Sequence, residues 1–320
     1  MKIGWPEKDD RQGRMLMRKG VMTALVGAIL LAGCVTSKSS QKLDNLVPLM
    51  IKPEPVANYA RDVVWAAPGG DKILLDVSWP AGEGPFPVLV WLHGGSWEFF
   101  SKEANEGLGC YITNRGYVVV NANYRMVPEV TMKTIVEDAM GAVIWAKDHA
   151  AEYHGDPARM AVAGHSAGGH LAAMVADECG NPYFTPTYQS DQGNDCKVRA
   201  AIPVSGVYDM NREYQGDNKI YLRIMGATPQ SDPELYRQCS PLRRLRPDLP
   251  PQLVVYAEKE ELRADNENYI AALKAVGAPV ESYMQPGENH LWPTWHWKKS
   301  AQQTYDRMIK FLDENLKGGK

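Results

Sequence analysis

A short apolar run, Met160-Ala161-Val162-Ala163, ends in Gly164-His165-Ser166-Ala167-Gly168, and a small-residue helical pattern through Leu171 and Ala173 follows at once. No other stretch limits the fold of this chain so much. A strand, a one-residue turn and a helix must meet at Ser166. The glycines two residues before and after it remove Cβ atoms where the flanking segments approach each other. This is the geometry of a nucleophile elbow, a serine held at a strained corner with its hydroxyl presented outward. Gly-x-Ser-x-Gly alone occurs by chance in many chains; here the context is strand then helix, and companion motifs stand elsewhere in the sequence.

The surrounding pattern says what sheet carries the elbow. Residues 61–66 and 72–79 alternate on either side of Gly69-Gly70-Asp71, as in a β-hairpin. Phe86 to His93 is nearly continuous apolar sequence, which suits a strand covered on both faces. Further strands are expected over 117–121, 160–163, 198–204, 252–256 and 279–284. Helical spacing is expected over 103–115, 134–151, 264–276 and 299–316. Strands alternating with helices imply an α/β fold, an eight-stranded, mostly parallel sheet with helices on both faces. With 320 residues, 44% of them hydrophobic, residues 58–320 are expected to form one catalytic domain. Residues 211–250 break the alternation and are rich in charge, proline and tyrosine. They are expected as a small cap-like insertion over the carboxyl ends of the strands, where α/β sheets place their ligands.

The amino terminus is set aside from the fold. Arg14, Arg18 and Lys19 precede an apolar run over 21–32, shorter than the roughly 20 residues a membrane span needs. The run ends in Leu31-Ala32-Gly33-Cys34, which is similar to a bacterial lipobox. Residues 1–33 are therefore expected as a lipoprotein signal peptide, Cys34 as the lipidated residue and 34–57 as a polar, proline-bearing tether. The protein is expected to be exported and membrane-anchored, periplasmic or on the outer membrane, with translation starting at Met15 or Met17. In that compartment disulfides persist; Cys179 and Cys196 bracket a polar loop and are the expected pair, whereas Cys110 lies in an apolar helical pattern and reads as a buried thiol. A net charge of −3 with both signs interspersed gives no basic stripe, so no nucleic-acid partner is expected.

A serine hydroxyl needs a base, a carboxylate to orient that base, and donors for the oxyanion. His93-Gly94-Gly95-Ser96-Trp97 follows an apolar strand, so Gly95 and Ser96, with Ala167 after the nucleophile, are the expected oxyanion donors, and Gly94 makes the turn. Of the seven histidines, His165 and His170 belong to the elbow, His93 to the donor loop, and His149 and His154 to a helix end and the loop after it. His290, in the turn-rich loop after the last strand, is the expected base; His296 on the same loop reads as a helix-docking residue. The acid is expected after strand 252–256, with Glu260 the candidate by spacing and Asp265 and Glu261 as alternatives. Gly94, Trp97 and Trp292 are expected to line the substrate site, and Trp295 and Trp297 add further flat faces for a sugar or an aromatic acyl group. No pair of histidines has a metal spacing, and neither a metal nor a cofactor is expected.

On His93 to Trp97, Asn123-Tyr124-Arg125, Asp156-Pro157, Gly164 to Leu171, Ser205-Gly206, Tyr208-Asp209, and Gly287 with Asn289-His290, the chain resembles a known group over residues 60–316. These are the α/β-hydrolase-fold esterases related to hormone-sensitive lipase, above all the branch with feruloyl and acetyl-xylan esterases and kynurenine formamidases. The resemblance implies serine carboxylesterase activity through an acyl-enzyme; the expected export and tether point to a substrate outside the cytoplasm, and acetyl or feruloyl esters of carbohydrate fit that setting. It leaves two alternatives, an amidase or formamidase on the same fold and a noncatalytic binding lipoprotein on a hydrolase frame. Two departures stand out: Ser96 replaces a third glycine found in many relatives, and Glu260 replaces the usual aspartate.

Overall fold

A computed structural model describes residues 53–216 and 218–318. The signal segment, Cys34 and most of the tether expected over 34–57 lie outside the described residues. The strands are β1 (Asn58–Ala66), β2 (Ile73–Trp79), β3 (Phe86–Leu92), β4 (Val118–Ala122), β5 (Gly155–His165), β6 (Ala200–Val204), β7 (Gln252–Ala257) and β8 (Val280–Gln285). The α-helices among the described residues are α1 (Glu106–Thr113), α2 (Met132–His149), α3 (Ala167–Glu178), α4 (Met210–Gly216), α5 (Asn218–Met225), α6 (Pro233–Gln238), α7 (Arg263–Ala275) and α8 (Lys299–Leu312). One eight-stranded sheet results, ordered β1-β2-β4-β3-β5-β6-β7-β8. The β1–β2 and β2–β4 pairs are antiparallel and the rest are parallel.

The two-residue period of the strands feeds two cores at once. Val88, Val90 and Leu92 enter one with Val118 and Val120, closed by α2 and α3 through Ile135, Val143, Leu171 and Val175. Leu89, Trp91 and Val119 enter the other, closed by α1 and α8 through Leu108, Ile112, Tyr305 and Met308. Each such side chain contributes roughly 1.5–3 kcal/mol by leaving water, which is why β3 tolerates no polar position along its length. On α8 the buried residues Ala301, Thr304, Tyr305, Met308 and Leu312 recur at three- and four-residue intervals, the stripe that docks a surface helix.

Two elements differ from their sequence reading. β5 extends over Gly155–His165 instead of 160–163, because Phe86 pairs with Gly155 and Val88 with Met160, leaving the residues between them as a bulge. In that bulge the Asp156 carboxylate accepts from the Ala158 amide at 2.8 Å and the Arg159 guanidinium at 2.7 Å; its polarity hides it from an apolar-run criterion. The 211–250 segment folds as three short helices, α4 to α6. Asp232 caps α6 by accepting from the Leu235 amide at 2.9 Å, with Pro233 in the first turn. α5 reaches the loop after β3, where Arg223 pairs with Glu98 at 2.6 Å and Tyr221 packs edge-on to Trp97.

Candidate active site

Ser166 sits between β5 and α3 with φ 58° and ψ −117°, a backbone region that a side chain disfavours and surrounding structure must enforce. Part of the enforcement is a hydrogen bond from its amide to the Val204 carbonyl at 2.8 Å, which ties the corner to β6. The rest is close approach. A Cβ on Gly164 would lie 2.3 Å from the Gly168 carbonyl oxygen, and one on Gly168 2.0 Å from that of Leu92. Gly169, which the sequence did not single out, is under the same constraint, 2.6 Å from the Val204 carbonyl oxygen.

Two loops from the far half of the sheet meet this corner. The Ser166 hydroxyl donates to His290 Nε2 at 2.9 Å across 124 positions. His290 Nδ1–H donates to Glu260 Oε2 at 2.9 Å; the tautomer follows from these partners. The Glu260 carboxylate is wholly enclosed, 0% exposed, and its other oxygen accepts from the Ala257 amide at 3.1 Å. Asp265 faces Arg212 in an ion pair, and Glu261 is exposed to solvent. The structure therefore brings together Ser166, His290 and Glu260 and holds the two other acids elsewhere. His296 packs into the gap that Gly107 leaves on α1, where a Cβ would lie 2.2 Å from its Nδ1.

The loop after β3 runs beside the nucleophile. A Cβ on Gly94 would come within 3.3 Å of the Ser166 Cβ, and one on Gly95, at φ 117°, within 2.0 Å of the Phe99 carbonyl oxygen. Gly95 accepts from the Glu98 and Phe99 amides at 3.0 and 2.8 Å, which closes the loop into a tight turn. Ser96 and Trp97 continue it at φ 52° and 58°. The left-handed backbone explains why glycine is the easier residue at position 96, and why Ser96 fits with its side chain exposed. On the opposite side Ala167 is the first residue of α3, where amides lack helical partners and the helix dipole is positive.

The expectation that tryptophans offer flat faces to substrate is corrected for Trp97 and Trp292. Trp292 is 0% exposed, and its indole N–H donates to Thr304 Oγ1 at 3.0 Å inside the core. Trp97 is 2% exposed, packed edge-on against His170 and Tyr221. An indole enclosed on every side has no face left for a ligand. Trp295 is buried too, and Trp297, its ring 5.3 Å from that of Trp295, is half-buried.

Three other histidines are buried as neutral rings, all pushed down by loss of solvent. His93, with Nδ1–H donating to the Gly94 carbonyl at 2.8 Å, falls to about 4. His170, whose Nε2–H donates to the Cys239 carbonyl at 2.9 Å, also falls to about 4. His165, through burial and the nearby His290, falls to about 3. Away from the triad, Cys179 and Cys196 form a disulfide, and Cys110 is a buried thiol pushed up to about 12 by burial.

A mostly parallel eight-stranded sheet, a serine at a strand-to-helix corner, an acid after β7 and a histidine after β8 define the α/β-hydrolase fold. Within that class the chain belongs to the BD-FAE family, whose profile matches residues 75–267. Esterase LipQ of Mycobacterium tuberculosis is 31% identical over 74% of this chain and 59% of its own length, so the chain spans less than two thirds of that relative. Among solved structures, the thermostable carboxylesterase EstE1 from a metagenomic library is 27% identical with a TM-score of 0.71, covering 88% of this chain and 96% of that one. A truncated carbohydrate esterase from gut microbiota, 19% identical with a TM-score of 0.71, shares the fold over 83% of this chain and 99% of its own.

Proposed function

We propose that the protein is a serine carboxylic ester hydrolase acting on acetyl or feruloyl esters of carbohydrate outside the cytoplasm. The observation that carries the reading is the unbroken hydrogen-bonded chain from Ser166 through His290 to Glu260, at 2.9 Å in each step. As Ser166 Oγ attacks the ester carbonyl, His290 Nε2 takes its proton, and Glu260 stabilises the imidazolium and keeps the ring in the right tautomer. The main-chain amides of Gly95, Ser96 and Ala167 receive the oxyanion. Collapse expels the alcohol, protonated by His290, and leaves an acyl group on Ser166. Water then attacks with His290 as base and releases the acid.

The esterase names of LipQ and EstE1 support the reaction class. Motif resemblance to feruloyl and acetyl-xylan esterases supports the substrate. The Cys179–Cys196 disulfide supports an oxidising compartment, consistent with an exported lipoprotein anchored through Cys34. α4 to α6 act as the cap, since α5 leans on the loop that carries Gly95 and Ser96.

The test pairs labelling with substrate choice. A fluorophosphonate should label wild type and leave Ser166→Ala unlabelled. Acetylated xylan and methyl ferulate should be hydrolysed faster than N-formylkynurenine. Faster cleavage of the formyl amide establishes the amidase reading instead, and absence of both labelling and turnover establishes a noncatalytic binding frame.

A further inference from the structure

Resting on the reading that Ser166, His290 and Glu260 hydrolyse esters, we propose that His165 is a positioning residue that fixes the catalytic imidazole by holding the His290 main chain. His165 Nε2–H donates to the His290 carbonyl oxygen at 2.8 Å, a bond spanning 125 positions. The two imidazoles lie 4.8 Å apart, centroid to centroid, tilted by 38°. On another side His165 meets Trp292 edge-on at 6.3 Å. Towards the donor loop, a Cβ on Gly94 would come 3.3 Å from His165 Nδ1 and 2.8 Å from the His165 carbonyl oxygen. One side chain thus touches the histidine loop and the donor loop, while its own backbone leads into the elbow.

The need for such a residue follows from how His290 is held. Its two ring nitrogens are committed to Ser166 and Glu260, but those bonds orient the ring only if its Cα is fixed. The main chain behind it is the turn at Gly287, with φ 74°. The bond to His165 fixes that main chain on the element that carries the nucleophile, and at 3% exposure no solvent competes for it. Neutrality matters as well. His290 becomes a cation during turnover, and a second cation one ring away would oppose that charge. Burial keeps His165 neutral, its titration lowered to about 3, so a strong donor is supplied without a permanent charge. His165 transfers no proton; its Nε2–H is what the role requires.

Side-chain geometry allows a clean test. The amide nitrogen of glutamine reaches as far as histidine Nε2, whereas that of asparagine reaches only as far as Nδ1. His165→Gln therefore keeps the donor, and His165→Asn, also a neutral amide, cannot reach the carbonyl. With p-nitrophenyl acetate, His165→Asn should lower kcat by about tenfold to a hundredfold with KM nearly unchanged, as a misplaced reacting group does. His165→Gln should restore most of that loss. Circular dichroism and thermal melting establish the folded fraction of each variant, and His165→Met is the donor-free variant used if the asparagine form does not fold. Equal kcat in the glutamine and donor-free forms, or a loss confined to KM, overturns the inference. A wild type without esterase activity, or Ser166→Ala with full activity, overturns the underlying reading and is visible without any change at His165.

Discussion

Glu260 decides the protonation pattern of the whole triad, because its enclosed carboxylate can only accept from His290 Nδ1–H. A glutamine there can present its amide N–H instead and favour the wrong imidazole tautomer. Glu260→Gln is therefore expected to lower kcat by about 10³–10⁴-fold, the scale of the equivalent change in serine proteases, measured with p-nitrophenyl acetate. Asp265→Asn should leave kcat close to wild type, since Asp265 faces Arg212. Near-normal rates in Glu260→Gln would remove that residue from the mechanism. At this scale much was legible in the sequence. Ser166 and Glu260 follow strands whose apolar runs can be read, and His290 follows the mostly polar β8 through a turn-rich loop, so chain order and turn residues pointed to the three side chains that the fold brings together. The tryptophans misled because whether an indole offers a face depends on what encloses it. Trp292 is covered by elements distant in sequence, and no local pattern encodes that. The bond from His165 to His290 was invisible for the same reason.

Among the elements, α3 joins the chemistry to the disulfide. It starts just after Ser166 and runs for 12 residues, about 18 Å at 1.5 Å per residue, to end beside Cys179. The Cys179–Cys196 bond closes a loop with a sequence separation of 17. Replacing both cysteines by serine should lower stability by about 3 kcal/mol through the freed loop, read as a shift in urea midpoint, while kcat stays unchanged at 25 °C. A fall in kcat with no change in midpoint would mean the loop serves the site directly. α5 offers a second case. Arg223 is half exposed, so its bond to Glu98 is screened and contributes little to stability. Removing it still leaves the mostly buried Glu98, already pushed up by burial, without a counter-charge beside Trp97. Arg223→Ala should raise KM severalfold, and adding Glu98→Gln should reverse most of that rise; additive losses in the double variant would break the link between α5 and the donor loop. The helices of this segment were not legible as elements, because at six to eight residues they are too short to show a sustained helical period, whereas β3 was read from its apolar run and α8 from its apolar period.

For the molecule as a whole, buried histidines and buried carboxylates pull the response to acid in opposite directions. His93, His165 and His170 titrate at about 4, 3 and 4 in the folded state, below the ordinary value of 6.5. Depressed histidines give stability that is complete above about 6.5 and is lost as pH falls towards the folded values, because the unfolded chain binds protons that the folded one refuses. Asp177 works the other way. Burial raises it to about 7 from 3.8 despite donors from Tyr269 and Gln252, so its contribution weakens as pH rises through that interval. Glu213, raised to about 7 by burial and the neighbouring Asp265, acts in the same sense, and burial raises Glu98, Glu178 and Asp265 as well, so buried carboxylates oppose the histidines in acid. Removing one depressed histidine isolates its share: His170→Gln should retain more of its pH 7 urea midpoint at pH 5 than wild type does; the same change with pH in both proteins would show that this ring is solvated.

The strand directions carry one more consequence. β1 begins beside the last residue of β2, with Asn58 opposite Trp79, and the Pro55 carbonyl accepts from Asn114 just past the end of α1. That is the end of the sheet from which β3 and β5 depart, the opposite end from Ser166. The chain therefore enters the domain on the side away from Ser166, and the approach to the nucleophile stays clear of that point of entry.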